Sequence, residues 1–176
     1  MSADRGEIDL RRARIQPAGH WDWHVPTPFS QGWRVGPLLF TGGQLSADAD
    51  GEVIGRGDIA LQTANVFDAL SRVLEEGGAT WRDVVKMNTY YVFDGRPEQV
   101  QPFWEAMTEV RLRYLPDPGP AATAVRVAGL MYDGFLIEVE AIAVVGSGER
   151  IVDLTSLAFP SPQPPTANEH DQGDER

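Results

Sequence analysis

The segment from Leu136 to Ala143 constrains the fold most strongly, because it has the pattern of a strand with two mostly apolar faces. Side chains alternate along a strand, so Glu138 and Glu140 share one face with Leu136 and Ile142, while the opposite face is apolar throughout. Such a strand has to be covered on both sides. We therefore expect helices to pack on one face and a second copy of the chain to cover the other.

The chain has 176 residues, of which 42% are hydrophobic, and this suffices for one core of ordinary size but not for two. We expect a single domain over residues 20–146, preceded by an N-terminal extension over residues 1–19. Residues 147–176 are rich in Pro, Asp and Glu and have too few apolar residues to offset their ordering entropy, so this tail is expected to be largely disordered. Docking of Ile151–Phe159 on a partner is the alternative for part of it.

The formal net charge is −11, and Lys86 is the only lysine. Binding of nucleic acid needs clustered Lys and Arg, so neither RNA nor DNA is expected as a partner. The chain has no cysteine, which excludes disulfides and thiolate ligands. The N-terminus is too polar for a signal peptide, and no apolar run reaches the roughly 20 residues that span a bilayer. We expect a soluble cytoplasmic protein that does not bind membranes.

The first half of the domain has the pattern of a hairpin followed by a long helix. A Gly-Pro pair at 36–37 separates two short stretches of strand-forming residues. Asp58 is placed to cap a helix whose apolar residues recur at helical spacing, and the Gly-Gly pair at 77–78 supplies its end.

The second half alternates strands with one helix. Val84–Val92 is rich in β-branched and aromatic residues and predicts a strand. Pro97 opens a second helix, which the prolines between 116 and 120 end. Thr123–Ala128 and Phe135–Val145 predict a closing antiparallel pair around the loop between them. The order is β-β-α-β-α-β-β, an α+β fold in which two helices cover one face of a mixed sheet.

Three stretches of the chain belong together, namely Pro28–Gly32 with Phe40–Leu45, Gly119–Val125 and Ile137–Ala143. In their order and approximate spacing they resemble the Rid (YjgF-like) family of reactive-intermediate imine and enamine deaminases. The resemblance implies a chorismate-mutase-like fold, a barrel-like homotrimer with clefts between neighbouring subunits, and no cofactor or metal. It also implies that Glu138 holds or activates the water that adds to an imine carbon. The alternative for Glu138 is a structural carboxylate.

Ala122 stands where the resembling enzymes carry an arginine that clamps the carboxylate of the substrate. No other side chain offers that planar, bidentate fork. Arg126 lies on the same face of the predicted strand, but four residues at about 3.3 Å each put its Cα roughly 13 Å away. Two other arginines are the alternatives for binding the carboxylate, namely Arg126 and Arg34 of a neighbouring subunit. The presence of alanine instead of arginine at residue 122 argues against ordinary 2-imino acids as substrates.

The cleft is expected to suit a larger, flatter or uncharged small-molecule ligand, held by backbone amides and aromatic side chains. The residues expected to line it with Glu138 are Trp23, His24, Phe29, Trp33, Gly42, Gly43, Tyr90, Tyr91, Ala122, Ala124 and Arg126.

The segment from His20 to His24, His-Trp-Asp-Trp-His, borders this set. If it is extended, both histidines and Asp22 face one way, which offers a proton donor or, as a weaker alternative, a metal site. The structural alternative is that both tryptophans pack on the core and the histidines face solvent.

Three functional hypotheses follow. The first is a Rid-like enzyme with a modified cleft, which acts on a small imine, enamine or related reactive metabolite by water addition or proton transfer at Glu138. The second is a non-catalytic small-molecule-binding or protein-partner module on the same trimeric scaffold. The third is a pathway-specific cyclase or tautomerase that uses the His20–His24 segment.

Overall fold

The computed structural model describes residues 10–149 of the chain. Its strands are β1 (Arg12–Ile15), β2 (Gly32–Val35), β3 (Leu38–Thr41), β4 (Val84–Val92), β5 (Ala121–Val127) and β6 (Ile137–Val144). Its α-helices are α1 (Ile59–Glu76) and α2 (Val100–Arg111), and short 3-10 turns lead into β4 and α2. Neither of these helices is long and apolar enough to cross a bilayer.

All six strands join one mixed sheet in the order β1-β2-β3-β6-β4-β5. β4 and β5 run parallel, whereas the other neighbouring pairs are antiparallel. β2 and β3 form the expected hairpin, with Trp33 opposite Phe40. The predicted α+β fold, with two helices on a mixed sheet, is confirmed.

The predicted pairing of the last two strands with each other is wrong. β4 lies between them and pairs with β5 along one edge and with β6 along the other. α2 carries the chain back along the sheet, so β5 enters parallel to β4, as a helical crossover requires. The loop after β5 then lets the chain cross β4 and insert β6 between β3 and β4. β5 is left as an edge strand.

Both helices form where the sequence predicts them. The Asp58 carboxylate accepts the N–H of Leu61 at 3.0 Å and caps α1. Gly77 ends this helix, and Gly78 adopts a φ of 77°, a left-handed conformation that favours glycine. Pro97 opens the turn that leads into α2, in agreement with the prediction.

The core lies between the helices and one face of the sheet. Ile137, Val139 and Ala141 of β6 are buried in it together with the apolar side of α1. The residues between them, including Glu138 and Glu140, are half-buried on the face without helices, here called the open face. Large apolar side chains are exposed on the open face, namely Trp33, Leu38, Phe40 and Val125.

β1 falls within the stretch expected to be an N-terminal extension. It pairs with β2, and Ile15 is buried in the core. The packed structure therefore begins before residue 20. Residues 1–9 and almost all of the predicted tail, including Ile151–Phe159, lie outside the described residues.

Candidate active site

A β-bulge brings a glycine pair beside Glu138. The ladder between β3 and β6 resumes at Gln44 and Val139 after one extra residue on the β3 side. Gly42 and Gly43 form this bulge, and a Cβ atom at residue 43 would overlap the Glu138 carboxylate. Glycine is therefore what allows the carboxylate to lie against the backbone.

Glu138 is a half-buried carboxylate that receives no hydrogen bond from the described residues. Burial raises the pKa of its carboxyl group above the usual value, and the negative charge of Glu140 raises it further. Desolvation disfavours the charged form, so the group is more easily protonated than a carboxyl group in water. Such an acid suits proton transfer near neutral pH.

Glu140, in contrast, is held by its neighbours. Its Oε1 atom accepts a hydrogen bond from the Asn88 side-chain amide at 2.8 Å and from the Tyr90 hydroxyl at 3.3 Å. The charge of Glu140 raises the pKa of Tyr90, so its hydroxyl stays protonated. Tyr90 is the register partner of Glu138, and Glu140 therefore orients a hydroxyl group beside the candidate acid.

A cleft of about 400 Å³ opens over Glu138. The other residues that line it are Trp23, Tyr90, Val127, Gly129, Leu130 and Met131. Apart from Glu138 and the Tyr90 hydroxyl, these side chains are apolar or aromatic, and none is cationic. The Trp23 ring packs edge-on against Trp21 at 4.9 Å and against Tyr132 at 5.8 Å, so the wall it forms is supported from behind.

The sequence-family model described as Endoribonuclease L-PSP matches residues 23–145. The chain belongs to this family, the YjgF/Rid family. A RutC family protein of Pyrococcus abyssi is 39% identical over 116 residues, which cover 66% of this chain and 85% of that protein.

Solved structures of the YjgF/Rid family have the same fold. RidA from an Antarctic Psychrobacter bacterium is 27% identical, with a TM-score of 0.62 over 76% of this chain and 99% of that one. A member of the YjgF/YER057c/UK114 family from Mycobacterium tuberculosis is also 27% identical, with a TM-score of 0.60 over 77% and 100% of the two chains. The family predicted from the sequence is confirmed.

The position of the arginine seen in Rid-like enzymes lies on the other side of the sheet from Glu138. Ala122 pairs with Met87, which is buried under the helices. Ala124 and Arg126 follow at alternate positions of β5 and share that side. Within one chain, none of these three residues reaches the cleft over Glu138, so a site that contained both sides would need a second copy.

Three predicted aromatic residues lie outside the cleft. Tyr91 faces the helices, where its ring lies 6.0 Å from Phe103. Trp33 lies on the open face, and the Arg12 guanidinium lies 5.1 Å from the centre of its ring. Phe29 packs on the tryptophans next to the cleft, with its ring 6.2 Å from that of Trp23.

The His20–His24 segment does not present its histidines on one surface. His20 is buried, with Nε2 3.4 Å from the carbonyl oxygen of Ala69, whereas His24 is exposed. Trp21 is packed inside the protein, and Trp23 is the one residue of the segment that lines the cleft. No group of His, Asp or Glu in the described part of the chain is arranged to hold a metal ion.

The loop after β5 is the part of the site that the sequence did not identify. Gly129, Leu130 and Met131 line the cleft, although the sequence predicts only a loop between two strands at these positions. A signal was present, because two large apolar residues in succession are unusual in a turn. Met131 is 66% exposed, which fits a ligand-contacting wall better than a core residue.

Proposed function

We propose that this protein is an enzyme that acts on a small imine, enamine or related reactive metabolite, with Glu138 as the general acid and base. The observation that carries the proposal is the position of Glu138 against the Gly43 backbone at the base of an apolar cleft, with a pKa raised by burial. A desolvated acid to which none of residues 10–149 donates a hydrogen bond is free to exchange protons with a ligand.

Hydrolysis of an imine would proceed in two steps. The imine reacts in its protonated form: the Glu138 carboxylate takes a proton from water while the water oxygen bonds to the iminium carbon and the carbon–nitrogen π electrons move to nitrogen, which gives a neutral carbinolamine. Glu138 then gives that proton to the amino group, the carbon–nitrogen bond breaks, ammonia leaves, and the hydroxyl proton passes to Glu138 and then to solvent as the carbonyl forms. The Tyr90 hydroxyl, positioned by Glu140, lies where it can hydrogen-bond to the reacting group.

The lining of the cleft supports a substrate whose reacting end is uncharged or cationic. Trp23, Leu130 and Met131 offer apolar contact to a flat or bulky group. A carboxylate placed among them would lose its hydration without gaining a cation, at a cost of roughly 2–5 kcal/mol. Ordinary 2-imino acids are therefore poor candidates for the space beside Glu138.

The open face supports assembly as a homotrimer, which is the assembly that the family resemblance implies. Trp33, Leu38, Phe40 and Val125 expose apolar surface there, and a partner subunit would bury it. The molecular mass in solution tests this part of the proposal, and a monomer would contradict it.

The acidic composition argues against RNA as a substrate, although the description of the matching family model names an endoribonuclease. With a net charge of −11 and one lysine, the chain lacks the clustered cations that neutralise phosphates.

A binding module without catalysis is the second candidate, and Ala122 is the residue that favours it. Loss of a substrate-clamping arginine is what a scaffold retained for binding alone would show. The test is ammonia release from an uncharged imine and from freshly generated 2-iminobutyrate, by the wild type and by Glu138→Gln. Release that depends on Glu138 supports the enzyme, and saturable binding without turnover supports the module.

A further inference from the structure

The cleft over Glu138 has one charged side chain among the residues that line it, and this is the Glu138 carboxylate itself. Glu140 lies two residues away on the same face of β6 and adds a second negative charge. Burial and the charge of Glu140 both disfavour the ionised form of Glu138 and raise its pKa. A cationic group on a ligand would oppose both effects.

Two arginines are the alternatives for a cation at this site, and both lie elsewhere. Arg34 donates to the carbonyl oxygens of Gly36 and Gly77 at 3.0 and 2.8 Å, so its guanidinium is engaged within its own chain. The guanidinium carbon of Arg126 lies 5.2 Å from the centre of the Phe93 ring, and Arg126 does not line the cleft. A ligand that enters the cleft therefore meets a carboxylate and no cationic side chain among the lining residues.

Aromatic side chains lie beside this carboxylate. Trp23 and Tyr90 line the cleft, and both are half-buried, so part of each side chain is accessible to a ligand. Tyr90 is the register partner of Glu138, and its hydroxyl donates to Glu140 at 3.3 Å. Aromatic rings attract organic cations, and a carboxylate accepts charge-assisted hydrogen bonds from them. The combination favours a cationic nitrogen over an anionic group.

Leu130 and Met131 give the cleft an apolar wall. Leu130 packs on the small cluster of Trp21, Leu45 and Phe135, whereas Met131 is 66% exposed. A methionine side chain adapts its shape to an apolar group and makes favourable contacts with an aromatic one. A ligand with an apolar substituent would remove this surface from water, and a small polar ligand would not.

Hydrogen bonds fix the loop that carries this wall. The buried Gln62 side chain of α1 donates to the Gly134 carbonyl oxygen at 2.7 Å and accepts the Leu136 N–H at 2.8 Å. Arg56 donates to the Asp133 carbonyl oxygen at 2.8 Å, and a Cβ atom at residue 134 would overlap its guanidinium group. The end of the loop is thus held before a ligand arrives, which lowers the entropic cost of binding against the wall.

We propose that this cleft binds a planar organic cation with an apolar substituent, namely the protonated form of an imine whose carbon carries an aryl or branched alkyl group. One oxygen of the Glu138 carboxylate accepts an N–H of the cation, which leaves the other oxygen for the attacking water. The charged carbon–nitrogen unit lies beside Trp23 and Tyr90. The substituent packs on Leu130 and Met131.

This inference rests on the function proposed at Glu138, because it names the class of substrate for the same cleft, but binding of the cation does not require turnover. Benzamidine tests it, because benzamidine is a stable planar cation with a phenyl group. Calorimetric titration of the full-length protein compares it with acetamidine, which lacks the phenyl group, and with benzamide, which lacks the charge. We expect benzamidine to bind at least about tenfold more tightly than either.

Two pairs of variants assign the binding to the cleft. Glu138→Gln should remove the preference for benzamidine over benzamide, whereas Glu105→Gln, which removes an exposed carboxylate on α2, should leave it unchanged. Met131→Ala should weaken benzamidine binding about fivefold and leave acetamidine binding unchanged. Leu112→Ala removes a similarly exposed apolar side chain at the end of α2 and should bind both ligands as the wild type does.

Thermal unfolding without ligand shows that a loss of binding is not a loss of fold. Because Met131 is exposed, Met131→Ala should unfold at the wild-type temperature. Added benzamidine should raise the unfolding temperature of the wild type more than that of Met131→Ala, and it should not raise that of Glu138→Gln.

The inference and the proposed function fail through different results. If benzamidine binds through Glu138 but no imine is hydrolysed, the ligand class is supported and the catalytic proposal fails. If imines are hydrolysed but benzamidine binds no more tightly than benzamide and acetamidine, or binds Glu138→Gln equally well, the inference is overturned and the enzyme remains supported. Competitive inhibition of imine hydrolysis by benzamidine would support both.

Discussion

The Glu138 carboxylate occupies the space that a side chain at residue 43 would fill. Gly43 belongs to the bulge that interrupts pairing between β3 and β6, so the backbone itself forms one wall around the acid. The wall opposite is the apolar cleft that Trp23 and Met131 line. The elevated pKa of Glu138 follows from this burial and from the negative charge of Glu140.

Substitution of Gly43 by alanine should therefore displace Glu138. The added methyl group would overlap the carboxylate, and the side chain would have to rotate away from its position in the cleft. A shift of about 1 Å in a reacting group costs on the order of a hundredfold in rate, which turnover of an uncharged imine would reveal. Gly119→Ala is the matched control, because a Cβ there would meet only the Pro116 carbonyl oxygen at 3.6 Å. Equal activity of the Gly43→Ala variant and the wild type would contradict this account.

Glu138→Gln should abolish proton transfer and also change the dependence of stability on pH. Loss of a general acid and base lowers turnover by about 10²–10⁴-fold. The folded-state pKa of Glu138 is raised, so the folded protein holds a proton that the unfolded chain releases as pH rises above the usual value of 4.5. The free energy of unfolding of the wild type should therefore fall as pH rises through the window between the two pKa values. The glutamine variant should lack this fall, and urea unfolding across that window would measure the difference.

Glu140→Gln tests whether the two carboxylates are coupled. The Glu140 charge raises the pKa of both Glu138 and Tyr90, so its removal should lower both. The acidic limb of the pH–rate profile should move to lower pH, and Tyr90 should ionise at lower pH in an absorbance titration. Turnover itself should persist, in contrast to Glu138→Gln. An unchanged profile would mean that the charge of Glu140 does not reach the reacting acid.

Local patterns predicted the helices and strands of this fold except β1, but not the position of the last strand. The cap at Asp58 and the glycine stop after α1 are short-range signals, and both are present in the structure. The partner of β6 depends on which strand edge is free after β5 has paired with β4, and no spacing in the sequence records this. The expectation that consecutive strands pair fails here because the crossover through α2 leaves β5 on the outside.

The sequence predicts a residue of the candidate site only where the alternation of a strand places a charged side chain among apolar ones. Glu138 could be identified because it interrupts an apolar strand, and its place on the open face follows from strand periodicity. The same periodicity separates Tyr90 from Tyr91, but which of the two faces the cleft depends on where the helices pack.

His20 should make the protein sensitive to acid. Burial lowers its pKa below the usual value of 6.5, and its Nδ1 atom is buried with no hydrogen-bond partner in the described part of the chain. The unfolded chain therefore takes up a proton more readily than the folded protein as pH falls below 6.5, and the free energy of unfolding decreases. His20→Phe should reduce this decrease, whereas His24→Gln, at an exposed site, should not alter it. Thermal unfolding at pH 7 and at pH values below 6.5 would measure both effects, and equal acid sensitivity of all three proteins would contradict the assignment.

Ala122→Arg should place a cation on the side of β5 that carries Met87 on the neighbouring strand. A guanidinium there could bind the carboxylate of 2-iminobutyrate, so the kcat/KM for this substrate should rise. Ala122→Lys, which lacks the planar fork, should give a smaller rise. If neither variant hydrolyses 2-iminobutyrate faster than the wild type, the alanine is not what limits activity on imino acids.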